Sequence, residues 1–168
     1  MLAVKKFLDR VLAAACVALF AVLVLTVSWQ VFSRQVLNAP SNWSEQLAKY
    51  VFVWLGMFGA ALVFSERGHI AVDFLIRKCP AGVQRGAAVV VQLAVIAFAA
   101  LALIWGGSRM VLLTWDQNLT VLPTQVGPLH LVMPVTGVII TLYAVYHLVS
   151  VLRGEEAAIE TDDSTEAI

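Results

Sequence analysis

From Val11 to Phe32 the chain reads VLAAACVALFAVLVLTVSWQVF, a stretch without a single charged side chain. A bilayer core of about 30 Å is crossed by a helix of about 20 mostly apolar residues, so this stretch is long enough to span a membrane. It exceeds the apolar core of a secretory signal peptide and ends in bulky side chains instead of a small-residue cleavage site. We therefore expect a transmembrane helix that is retained.

Three further apolar runs reach a similar length and cover residues 47–65, 87–107 and 129–152. The first of these three has a snorkelling Lys49 near its start, and the other two hold no Lys, Arg, Asp or Glu. Of all residues, 61% are hydrophobic and 13% are charged, whereas a soluble domain carries about 25% charged residues. Lipid offers no partner to the backbone, which favours helices. The sequence predicts an all-α integral membrane protein, a bundle of four transmembrane helices in a single membrane domain over residues 1–153.

Two segments outside the four runs have their own character. In residues 69–78, Ile70 and Phe74 repeat with helical spacing opposite His69 and Asp73, which predicts a short amphipathic helix lying in the membrane interface. Residues 154–168 hold six acids and no base. We expect this acidic tail to be disordered and solvated.

Local signals predict where three of the spans begin, end or bend. Asn42 and Glu45 have the spacing of a capping box at the start of the second span. Gly106 and Gly107 are expected to weaken the far end of the third span, and the polar connection that follows is expected to fold back against the bundle. Pro134 predicts a kink early in the fourth span.

The distribution of Lys and Arg predicts the orientation in the membrane. Eight of these bases fall on the side that holds both termini and the second connection, and three fall on the other side: Arg34, Lys49 and Arg109. Because basic loops stay in the cytoplasm, both termini are predicted to be cytoplasmic, in a multi-pass protein of a bacterial inner membrane.

Composition and spacing argue against several classes of function. The formal net charge is zero, so no basic field attracts nucleic acid. Cys16 and Cys79 are far apart and form no metal-binding or redox motif. His130 and His147 fall near opposite ends of one helix, which disfavours haem. We therefore expect no catalytic residue, no cofactor and no metal site.

The helix centres lack the charged residues that a transporter acting alone usually needs at mid-membrane depth. Small residues at Gly56 and Gly59 serve either packing inside the bundle or a groove for a partner subunit. Arg34, Glu45 and Lys49 form either an ion-pair cluster or a solvated rim. Both pairs of interpretations remain open from the sequence.

Short motifs occur in a particular order along the chain. They are Gln30-Val31-Phe32-Ser33-Arg34, Trp43-Ser44-Glu45-Gln46, Trp54-Leu55-Gly56 and His69-Ile70-Ala71-Val72-Asp73. In this order the chain resembles the small permease subunits of tripartite ATP-independent periplasmic (TRAP) transporters. That family commonly has Trp-x-Glu-Glu where this chain has Gln46 as the last residue.

The resemblance implies a subunit of a three-part importer. Its partners would be a large membrane permease subunit and a periplasmic binding protein that delivers an organic acid such as a C4-dicarboxylate or sialic acid. Uptake would be coupled to a sodium gradient, and this chain would be the membrane scaffold. Residues implied at subunit or periplasmic contacts are Arg34, Trp43, Glu45, Gln46, Lys49, Trp54, Gly56, Gly59 and Arg109, with His69 and Asp73 as a cytoplasmic motif.

Three other functions compete with the scaffold. The chain is alternatively a small transporter or channel built by oligomerisation, a membrane anchor of a redox complex, or an unrelated scaffold with four spans. A mid-membrane carboxylate would favour the first, and a cofactor absorption spectrum would identify the second.

Overall fold

A computed structural model describes residues 2–65, 81–121 and 123–153, and within these ranges the chain is helical without a β-strand. The helices are α1 (Leu2–Gln35), α2 (Asn42–Ser65), α3 (Ala81–Phe98), a π-helical segment (Ala99–Gly106), α4 (Gly107–Leu113), α5 (Val126–His130) and α6 (Val132–Arg153). Four helical stretches are long and apolar enough to cross a membrane. The predicted four-span, all-α fold is confirmed, and the predicted interfacial helix and acidic tail lie outside the described residues.

The spans form a row in which α6 has a neighbour on each side. α1 packs on α2, α2 packs on α6, and α6 packs on the third span, which comprises α3, the π-helical segment and α4. In the most apolar window of the fourth span 44% of residues are buried, against 6–11% in the other three. The buried core lies where α6 meets its neighbours and contains Leu12, Ala61, Ala99, Ile140 and Tyr143. The other three spans are mostly exposed along their length.

A tight turn joins α1 to α2. Asn38 has a φ of 51°, the left-handed conformation that Asn tolerates better than most residues. The Ser33 hydroxyl donates to the Ala39 carbonyl and so closes the turn. Because α2 begins at Asn42, the residue before the helix is Ser41, and the Glu45 backbone N–H points to the Ser41 carbonyl at 3.5 Å. The predicted capping box of Asn42 and Glu45 is therefore wrong: Asn42 is already helical, and the Ser41 hydroxyl before it has no hydrogen-bond partner among the described residues.

The third span does not end at Gly107 as predicted. Gly106 and Gly107 both keep right-handed helical dihedrals, and α4 continues to Leu113. A β-carbon at Gly107 would lie 2.8 Å from Cβ of Met133, so this glycine allows close helix packing. On the facing helix, a β-carbon at Gly137 would lie 2.7 Å from Cβ of Leu103 in the π-helical segment. Both glycines serve close approach between helices, as small residues commonly do in membranes.

The connection between the third and fourth spans folds back on itself. Asn118 and Gln125 form an isolated antiparallel bridge, and a β-carbon at Gly127 would lie 2.7 Å from Cα of Trp115. The fourth span is then interrupted at Leu131, between α5 and α6. Pro134 lacks a backbone N–H, so the carbonyl four residues earlier has no helical partner. The break lies just before the proline, in the turn where a kink was predicted.

Candidate functional site

One face of α2 has no partner among the described residues. A β-carbon placed at Gly56 or at Gly59 would meet nothing within 4 Å. On the same face Phe52 is 64% exposed and Val63 is 54% exposed, whereas Ala61 on the opposite side is fully buried. The two glycines therefore do not pack against the part of the bundle that the structure describes. We call the residues Phe52, Gly56, Gly59, Ala60 and Val63 the outer face of α2.

Trp54 lies two residues before Gly56 but points inward. Its Nε1–H donates to the carbonyl of Leu129 at 2.9 Å, and its ring meets Phe58 edge-on. The last four carbonyls of a helix have no partner within that helix, and Leu129 is the fourth of the five residues of α5. Trp54 thus satisfies one of these carbonyls and ties α2 to the fourth span. The contact of Trp54 with a partner subunit stays a prediction, and the indole N–H is already engaged in this internal contact.

The candidate residues at the start of α2 form a solvated rim. Trp43, Glu45 and Lys49 are exposed, as is Arg34 in the last turn of α1. Among the described residues the ion pair within 4.0 Å is that of Lys5 with Asp9, so Arg34, Glu45 and Lys49 do not form the alternative ion-pair cluster. Gln46 is half-buried, and its Oε1 has no hydrogen-bond partner in the described part of the chain.

Arg109 lies at the same end of the bundle on α4. It is exposed, and its guanidinium carbon lies 5.5 Å from the centre of the Trp105 ring, within the range of a cation–π contact. Near it the Thr114 hydroxyl donates to the Met110 carbonyl at 2.8 Å. His130 Nδ1 lies 3.3 Å from that hydroxyl and 3.1 Å from the Val126 carbonyl. These contacts hold the folded connection against α4 and α5.

A polar cluster that sequence reasoning missed lies at the opposite end of the bundle. Asp9 Oδ1 accepts a hydrogen bond from the Ser65 hydroxyl at 2.5 Å and from the Tyr143 hydroxyl at 2.6 Å. Lys5 Nζ lies 3.4 Å from the other oxygen of Asp9, and His147 Nε2 lies 3.1 Å from the Ser65 carbonyl. We call Asp9, Ser65, Tyr143 and His147 the inner clasp. The signal in the sequence was a lone acid among Lys5, Lys6 and Arg10 at the start of a transmembrane helix.

The described residues offer no evident centre for chemistry. Among them no three of His, Cys, Asp and Glu lie close enough to hold a metal ion. His130 and His147 are engaged in hydrogen bonds at opposite ends of the bundle. His69 and Asp73, the predicted cytoplasmic motif, lie outside the described residues.

The chain is similar in sequence to several known membrane proteins. The chain is 32% identical over 76 residues to the sialic acid TRAP transporter small permease protein SiaQ of Vibrio cholerae, a match over 45% of this chain and 44% of that protein. It is 37% identical over 79 residues to the sialic acid TRAP transporter permease protein SiaT of Haemophilus influenzae, over 47% of this chain and 12% of that protein. It is 25% identical over 132 residues to the C4-dicarboxylate TRAP transporter small permease protein DctQ of Pseudomonas aeruginosa, over 76% of this chain and 63% of that protein.

The two sialic acid relatives are each matched over less than half of their own length. The family model is broader: it is described as the DctQ component of tripartite ATP-independent periplasmic transporters, and it matches residues 23–154. This is a family of transporter membrane subunits and not of enzymes, and with four helices able to span a membrane the chain is a multi-pass inner-membrane protein. The chain belongs to the DctQ-component family of TRAP transporters.

Proposed function

We propose that this chain is the fixed membrane scaffold of a TRAP transporter and holds the large permease subunit against the outer face of α2. The observation that carries the proposal is that a β-carbon added at Gly56 or Gly59 would meet nothing within 4 Å, although α2 is a transmembrane helix. Small residues let a second helix approach closely, which is the main source of helix association in lipid. A partner helix is the natural occupant of such a face in a family of multi-subunit transporters.

The scaffold role fits the interior of the bundle. In the described part of the chain the spans form a row, and their centres carry no charged residue that would bind an organic acid or a sodium ion. Substrate and sodium would therefore bind in the large subunit. The transported solute is an organic acid of the sialic acid or C4-dicarboxylate class, by analogy with the named relatives.

The rim opposite the inner clasp would face the periplasmic binding protein. Arg34, Glu45 and Arg109 are exposed there and make no ion pair among the described residues, so they are available to a charged partner. Rim charges of this kind contribute mainly to the association rate and to the choice of partner. Docking at this rim would bring the delivered solute next to the large subunit.

One experiment with two readouts tests the proposal. The tagged chain is expressed with the large permease subunit and the binding protein, and the recovery of the large subunit in mild detergent is compared with the uptake of radiolabelled organic acid. Gly56→Leu should lower both readouts by about tenfold, because overpacking a close contact costs about 1–3 kcal/mol. Arg109→Glu should lower uptake alone.

Gly86→Leu is the matched control, since Gly86 is also exposed with nothing within 4 Å but lies on α3. It should change neither readout. Equal recovery with Gly56→Leu would overturn the assignment of the outer face of α2. Uptake by the chain alone in liposomes would favour a self-contained transporter, and a cofactor absorption spectrum would favour a redox anchor.

A further inference from the structure

The bundle consists of two halves that meet along one seam. α1 and α2 pack together as a hairpin, and the third span packs on α6. The two halves meet where α2 packs on α6, in a seam that includes Ala61 and Ile140. In lipid the hydrophobic effect does not drive such a seam together, because lipid tails are as apolar as the side chains that they replace. Close packing and interhelical hydrogen bonds across the seam therefore hold the halves together.

Such contacts lie at both ends of the seam. At one end Trp54 donates to the Leu129 carbonyl. At the other end the inner clasp joins three helices, because one oxygen of Asp9 on α1 accepts hydrogen bonds from Ser65 on α2 and from Tyr143 on α6. Ser65 is the last described residue of α2, and Nε2 of His147 on α6 lies 3.1 Å from its carbonyl.

We propose that Asp9 is a positioning residue that sets the angle between the two halves by holding the inner ends of α1, α2 and α6 together. Ser65, Tyr143 and His147 are 1%, 2% and 4% exposed, so their polar groups have little access to water as an alternative partner. An ionised acceptor makes stronger hydrogen bonds than a neutral one. Removing Asp9 releases two hydroxyls at once and leaves them without a charged acceptor.

The negative charge of Asp9 is balanced by a lysine one helical turn earlier on α1. Lys5 precedes it by one helical turn, with 3.4 Å between Lys5 Nζ and the carboxylate, and the Asp9 side chain is 28% exposed. Lys6 and Arg10 are exposed on the same helix and do not take part in the clasp. The clasp thus combines a balanced carboxylate with buried donors from two other helices, and it does not depend on the proposed partner.

The test measures distances at both ends of the seam in the full chain reconstituted in lipid nanodiscs. With Cys16 and Cys79 replaced by alanine, spin labels are placed at residues 6 and 152 for the inner end and at residues 49 and 131 for the outer end. All four positions are exposed. Asp9→Ala should broaden the inner distance distribution at least about twofold and leave the outer one unchanged, because a lost contact at one end of a packed seam acts locally.

Milder variants keep the test decisive if Asp9→Ala does not fold. Asp9→Asn retains an oxygen acceptor but loses the charge, so it should broaden the inner distribution less than Asp9→Ala does. Tyr143→Phe should broaden it as well, and its effect should disappear in the Asp9→Ala background, because both changes remove the same hydrogen bond.

Two neighbours serve as controls. Arg10→Ala removes an exposed charge beside Asp9, and Tyr146→Phe removes the hydroxyl of a half-buried tyrosine outside the clasp while it keeps the ring that contacts His147. Neither should change the inner distance. Additive effects of Asp9→Ala and Tyr143→Phe, or equal broadening at both ends of the seam, would overturn the proposal.

Discussion

At the scale of single residues, the motif Trp54-Leu55-Gly56 combines two opposite roles. Successive residues on a helix point about 100° apart, so Trp54 and Gly56 lie on nearly opposite sides of α2. Trp54 contacts the Leu129 carbonyl inside the bundle, whereas Gly56 faces away from every described residue. A motif recognised as one unit in the sequence therefore divides into an internal tie and a surface.

Trp54→Phe tests the internal tie. Phenylalanine keeps an aromatic ring in place but cannot donate to Leu129, so the free energy of unfolding should fall by about 0.6 kcal/mol and by at most about 1.7 kcal/mol, the average and the maximum for hydrogen bonds between membrane helices. The measurement is unfolding of the purified chain in mixed micelles. Trp43→Phe is the matched control because Trp43 is 44% exposed in the rim. If both variants lose the same free energy, the hydrogen bond contributes nothing beyond ring packing.

At the scale of elements, some glycines lie against a neighbouring helix of the bundle and others face outward. Gly137 faces the π-helical segment, where an added β-carbon would also lie 3.2 Å from the backbone nitrogen of Ile104. π-Helical turns are rare and locally widen a helix. The contact therefore depends on the match between a widened helix and a facing glycine, and backbone atoms cannot move aside as a flexible side chain can.

Gly137→Ala and Gly56→Ala should consequently have opposite effects on the chain alone. Alanine favours a helix by up to about 1 kcal/mol over glycine, so Gly56→Ala should be neutral or stabilising. Gly137→Ala should lower the free energy of unfolding by about 1–3 kcal/mol, because the added methyl group overpacks the contact. Thermal unfolding of the two variants in the same detergent checks this. A stable Gly137→Ala variant would mean that α6 shifts away from Leu103 without loss.

At the scale of the whole molecule, the bundle differs between its two ends along the helix axes. The inner clasp lies at the end that holds Lys5, Lys6 and Arg10, and the rim with Glu45 and Arg109 lies at the other end. We propose that the basic end is cytoplasmic, because Lys and Arg are retained on that side during insertion.

Cysteine labelling tests this orientation. In a background without Cys16 and Cys79, Glu45→Cys and Arg109→Cys should react with a membrane-impermeant maleimide added to spheroplasts, because both positions are exposed at the proposed periplasmic end. Lys6→Cys should react only after lysis, and it is the matched control as an equally exposed position at the opposite end. Labelling of Lys6→Cys before lysis, with protection of the other two, would reverse the topology.

Much of the fold was predictable because it depends on local properties of the chain. Four apolar runs are visible without knowledge of any contact, and the motifs at Trp43 and Trp54 identified the family that the comparison confirms. The residues at which the helices begin and end were less predictable. The paired glycines at 106 and 107 suggested a helix end, but both keep helical dihedrals, and Gly107 lies against Met133 and Pro134.

The sequence by itself determined that the chain has four membrane-spanning helices, since length and apolar character decide whether a helix is stable in lipid. Its motifs also determined the family to which it belongs. Only the tertiary structure decided that the spans form a row, that Gly56 faces outward, and that Asp9 meets Ser65 and Tyr143. The physical reason is that buried and lipid-facing sides of a membrane helix are both apolar, so hydropathy does not specify how each helix is rotated. Hydrogen bonds between residues far apart in the sequence, and close contacts at glycine, specify that rotation.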